Sequence, residues 1–118
     1  MWLPLIGLLI GLIIGSLVSI SIPAEYARYT AVAILAALDS VMGAARASLS
    51  GDYDNTIFIT GFFGNTLLAA ILTFLGDRLG VELYYAAIFA FGVRLFNNLA
   101  LIRRHLLARY KHNVRRAS

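Results

Sequence analysis

The sequence predicts an all-α membrane protein: four transmembrane helices in a compact bundle, with the N- and C-termini both cytoplasmic. Three observations predict it. Four nearly uncharged apolar stretches fill most of the 118 residues, and about 20 apolar residues suffice to cross a bilayer as a helix. Sixty per cent of the chain is hydrophobic and only 14% is charged, with a mean hydropathy of +0.80. A soluble domain carries roughly a quarter charged residues. Finally, six of the ten basic residues crowd into the last sixteen positions, a bias that sets membrane orientation.

The first span covers residues 3–22 and holds no charge. A signal peptide would need a basic leader, a shorter apolar core and a small-residue cleavage site. Only Met1 and Trp2 precede this one, so it reads as a retained helix. Trp2 stands where an interfacial aromatic belongs, and Pro23 is expected to stop the helix. The second span, 30–49, follows a short connection with Glu25, Arg28 and two tyrosines. The connection 50–56 has turn chemistry around Gly51, Asp52 and Asp54. The third span is 57–76, and Gly76 to Gly80 form the next turn. The fourth span, 81–102, opens on Tyr84 and Tyr85. Residues 1–102 thus form the transmembrane domain. Residues 103–118 form a basic cytoplasmic tail, continuing as a helix out of the membrane.

Shifting the chain by 54 positions lays span one on span three and span two on span four. Gly7 then falls on Gly61, and Ala33-Ile34 on Ala87-Ile88. Such a repeat would relate two hairpins in parallel.

Span one carries Gly7, Gly11 and Gly15, with Ser19 next in the series. Small residues four apart leave a groove into which another helix packs closely. Span two offers Ala36, Ser40, Ala44 and Ser48 at the same spacing. The two readings are packing between these neighbours in one chain, and a seam between copies.

Asp39 and Arg94 fall near the middle of their spans. At 1.5 Å per residue their depths differ by only a few ångströms. An ionisable group in the bilayer is costly and finds a partner, so an Asp39–Arg94 pair is expected inside the bundle. Arg46, two turns from Asp39 on the same face, either snorkels or competes for it. The pair reads as a register-fixing contact or as part of an ion relay, and arginines would hold Asp39 ionised. Asn65, Asn97 and Asn98 complete the polar network, as helix-packing glue or as pore lining.

The tail holds Arg103, Arg104, Arg109, Lys111, Arg115 and Arg116. Anionic inner-leaflet lipid attracts such clusters, as does an acidic patch on a protein. Nucleic acid is not an expected partner, because no recognition motif accompanies the charge. His105 and His112 lie alone among arginines, and there is no cysteine. No metal, cofactor or disulfide is therefore expected. Nor does any nucleophile–base pair or phosphate loop appear, so the chain is not expected to be an enzyme.

Two stretches, LDSVMGAARASLSGDYD at 38–54 and IFAFGVRLFNNLALIRR at 88–104, carry a family signature together with the opening Met1-Trp2-Leu3-Pro4. On these the chain resembles the bacterial small basic protein family across nearly its whole length. The residues that fit are Asp39, Gly43, Arg46, Gly51, Asp52, Tyr53, Asp54, Arg94, Asn97 and Asn98. The resemblance implies a multi-pass protein of the bacterial plasma membrane, often encoded beside cell-division and envelope genes. It supplies no biochemical activity. The leading expectation is a non-enzymatic scaffold or assembly factor that docks other membrane proteins through its glycine face and engages cytoplasmic factors or anionic lipid through its tail. The alternative is a small oligomeric ion channel or transporter, with a polar path around Asp39, Arg46 and Arg94.

Overall fold

The computed structural model describes residues 1–117, and every regular element in them is helical. Helix α1 is Trp2–Leu17 and α2 is Ala27–Leu49, entered through a single 3-10 turn at Ala24–Tyr26. Helix α3 is Asn55–Leu79 and α4 is Tyr84–Ala117. Helices α2, α3 and α4 are long and apolar enough to cross a membrane; α1 is shorter.

Local chemistry explains the boundaries. Pro4 sits in the first turn of α1, where no helical N–H is needed. Helix α1 ends at Leu17, five residues before the predicted stop at Ile22, with Val18 already extended. Pro23 therefore does not terminate it. The sequence from Ser16 to Ile22 alternates serines with Leu, Val and Ile. Serine competes for backbone hydrogen bonds, as the Ser16 hydroxyl does by donating to the Ile13 carbonyl at 2.8 Å. β-Branched residues lose side-chain freedom in a helix. Ser19 consequently drops out of the helical glycine series.

Helix α3 begins cleanly because the Asp54 carboxylate accepts from the Thr56 and Ile57 amides at 2.7 and 3.1 Å. It ends at Gly80, left-handed at φ 71°, a conformation that favours glycine. The Val81 amide then folds back to the Gly76 carbonyl at 3.0 Å. This turn lies so close over Gly76 that an added Cβ would meet the Val81 oxygen at 2.5 Å. The fourth span starts at Tyr84, three residues later than predicted, and then runs without a break through the basic segment.

Helices α2, α3 and α4 form the packed unit. Val32 and Ala36 from α2, Ala69 from α3, and Ala87 and Phe91 from α4 make its buried core. Small side chains at the seams let these helices approach closely. Helices α2 and α4 are parallel and in register, as the succession Arg28–Tyr84, Asp39–Arg94, Arg46–Asn98 and Ser50–His105 shows. Their partners are 52 to 56 positions apart in sequence, bracketing the 54-residue repeat offset. At one end, Met1 to Leu3 flank a shallow hollow with Tyr53 to Thr56. At the other, Arg28 pairs with Asp77 at 3.1 Å and stacks on Tyr84.

Helix α1 stands apart from this unit. It touches α2 sparsely, and Pro4 is its only buried residue. Nothing lies within 4 Å of a Cβ placed on Gly7, Gly11 or Gly15. The intrachain packing of these glycines on α2 is thus not what the fold adopts. Ala36 of the expected α2 partner face instead enters the core with α3 and α4, and Ala44 is buried too. Those seams offer alanine and phenylalanine contacts that a uniformly apolar α1 does not outcompete.

Candidate functional site

The polar residues of the spans gather along α2. Asp39 is wholly buried, and its Oδ1 lies 3.2 Å from the Arg94 Nε. The pair forms because parallel, in-register helices bring residues 39 and 94 to one depth. Neither Asp39 oxygen gains an aligned hydrogen bond from it. The Arg94 side chain remains 55% exposed, so its guanidinium reaches past the carboxylate to the bundle surface.

Arg46 does not compete for Asp39. Its Nη1 donates to the Asn98 Oδ1 at 3.4 Å, a second link between α2 and α4. Asn98 is buried, whereas Asn97 next to it is exposed and outside the network. One helical position turns a side chain by about 100°, so adjacent asparagines cannot share a face. Asn65, on α3, is half-buried and stands with Asp39 and Arg94 around a cleft.

That cleft, of about 210 Å³, lies between α2 and α3. Ser40, Gly43, Ala44 and Ala47 line its α2 side, and Gly61, Phe62 and Asn65 its α3 side. The small residues make the space: where neither helix sends a large side chain across, the seam stays open. Asp39 and Arg94 are at one end, and the Asp52-Tyr53-Asp54 turn at the other. Ten residues of α2 separate Asp39 from Leu49, which is about 15 Å of rise. The cleft therefore leads from mid-helix to the helix end. The Ser40 and Tyr53 hydroxyls are buried without hydrogen-bond partners, like the Asp39 oxygens.

The sequence reading missed two features. Tyr53, in the turn between the second and third spans, buries its hydroxyl at the cleft. The Arg28–Asp77 pair joins the opposite ends of α2 and α3, and only the hairpin topology could have suggested it. Among the tail residues, Arg103, Arg104, Arg109, Lys111, Arg115 and Arg116 are all exposed on the continuous α4. The Ser50 hydroxyl and His105 Nε2 approach to 3.4 Å, tying the root of this segment to the end of α2. Among the described residues, no group of three or more His, Cys, Asp and Glu side chains is placed to hold a metal.

Fold and site together define a small helical protein of membrane character, with an ion pair and a polar cleft inside an otherwise apolar bundle. Residues 22–107 match the family described as "Protein of unknown function (DUF1290)", and the chain belongs to that family. It is 54% identical over 110 residues to the "Small basic protein" of Bacillus subtilis (strain 168), covering 93% of this chain and 91% of the relative. Uncharacterized proteins of Mycobacterium bovis and Mycobacterium tuberculosis are 38% identical over 102 residues, covering 85% of this chain and 84% of theirs. The resemblance to the bacterial small basic proteins is thereby confirmed. No solved structure matches the chain.

Proposed function

We propose that this protein is a non-enzymatic scaffold or assembly factor of the bacterial plasma membrane, crossing it four times with both termini in the cytoplasm. The observation that carries the reading is the state of α1. A helix with glycines at 7, 11 and 15 leaves that groove without a neighbour. The helix is also about 24 Å long at 16 residues, against a hydrocarbon core of about 30 Å. The extended segment after Leu17 has backbone groups that lipid cannot satisfy. A helix from another membrane protein would fill the groove and shield that segment. The basic end of α4 would engage anionic lipid or an acidic partner from the cytoplasm. A setting in cell division or envelope biogenesis rests on the family resemblance alone.

The absence of cysteine makes a direct test possible. Single cysteines at positions 7, 11 and 15, and at the α1 positions 9 and 13, would be cross-linked in native membranes and the products identified. The scaffold reading expects one membrane protein to be captured from 7, 11 and 15 and not from 9 or 13. Equal capture from all five positions, or none, would reject it. Capture of other copies alone would favour the oligomeric channel, with ion flux in liposomes as the next measurement.

A further inference from the structure

The α2–α3 cleft has the makings of a ligand site, independently of the scaffold reading. Its base is a carboxylate that is completely buried and has no aligned hydrogen bond on either oxygen. Burying polar groups without partners is costly, and here the Ser40 and Tyr53 hydroxyls add two more. All three side chains line the same cleft.

The lining also specifies what would satisfy them. Asp39 with Arg94 at the base, and Asp52 and Asp54 at the mouth, leave the lining net negative, which favours a cation over an anion. Phe58 and Phe62 add aromatic walls, whose faces attract cations. A divalent metal is not favoured, because the three carboxylates do not form a ligating cluster. The Asp39 oxygens need donors and the two hydroxyls can accept as well as donate, so a primary ammonium, with three N–H donors, can satisfy all of them. At about 210 Å³ the space is below the range of drug-sized pockets, so the occupant has only a few heavy atoms.

We propose that the cleft binds a primary ammonium group, seated on Asp39 with Ser40 and Tyr53 as hydroxyl partners, entering past Asp52. The ammonium belongs either to a free small amine or to an ethanolamine lipid headgroup. Both present the same –NH₃⁺ to the site.

The test is equilibrium dialysis of labelled n-butylammonium against the full-length protein in phosphatidylcholine nanodiscs. Saturable binding at one per chain is expected, at least tenfold weaker in Asp39→Asn. Tetramethylammonium, which has charge but no N–H, should not displace it. The Ser40→Ala, Tyr53→Phe double variant leaves the ion pair intact and should bind several-fold more weakly. It decides the matter if Asp39→Asn does not fold. Loss of the signal in phosphatidylethanolamine nanodiscs would assign the site to the lipid headgroup; its persistence would assign it to a free amine. Non-saturable uptake, equal displacement by tetramethylammonium, or unchanged binding in the Ser40, Tyr53 variant would overturn the proposal.

Discussion

Asp39 and Arg94 are partners with unequal stakes. Asp39 is 0% exposed and Arg94 is 55% exposed. Removing the arginine strands a buried carboxylate, whereas removing the carboxylate leaves an arginine free to extend toward water. Arg94→Gln should therefore cost about 3 kcal/mol, the range for breaking a buried pair. Asp39→Asn should cost about 1 kcal/mol by the same reasoning, discounted for the exposed arginine. The double variant should recover most of the loss. Unfolding of the four proteins in detergent measures this, and a cycle with equal single losses would contradict it. The pairing was legible in the sequence, because two ionisable groups at one depth in apolar spans have few alternatives. The link from Arg46 to Asn98 was not. Choosing Asn98 over Asn97 depends on the rotation of α4 against α2, which side-chain packing decides.

The elements divide into a packed unit and a loosely attached helix, and glycine substitutions should separate them. Gly11→Leu adds bulk where nothing lies within 4 Å. It should leave unfolding of the isolated protein within about 0.5 kcal/mol of wild type, as for sites without contacts, while abolishing partner capture. Gly76→Ala places a Cβ against the Val81 carbonyl and the Leu83 backbone. It should destabilise by about 2 kcal/mol, as overpacking does. Thermal unfolding in one detergent compares them, and a destabilised Gly11→Leu would mean that α1 packs internally after all. Three of the four helices were readable to within a few residues, from apolar length and turn residues. The end of α1 was not, because hydropathy continues through Ile22 while helix propensity fails after Ser16. The cleft was hidden for a related reason: Gly43, Ala44, Ala47 and Gly61 read equally as close packing or as space, and only the helix separation distinguishes them.

At the scale of the whole molecule, the proposed topology rests on charge asymmetry. The basic residues of α4 lie beyond its apolar part, at the end shared with Met1 and the Asp52–Asp54 turn. Lysine and arginine near span ends are retained in the cytoplasm. Replacing Arg103, Arg104, Arg109 and Lys111 by glutamine should lower the fraction of chains with a cytoplasmic C-terminus by several-fold. A C-terminal fusion to a reporter active on only one side of the membrane reads this directly. An unchanged ratio would place the orientation signal elsewhere, at Arg46 or in the loops. The segment carrying these charges is not a tether. Helix α4 has 34 residues without a break, about 51 Å of rod, and a bilayer core accounts for about 30 Å. A helix resists twisting about its own axis, so each basic residue holds a fixed heading relative to Arg94. Whatever grips Arg109 or Lys111 also holds a handle, and turning that handle would swing Arg94 toward or away from Asp39 at the base of the cleft.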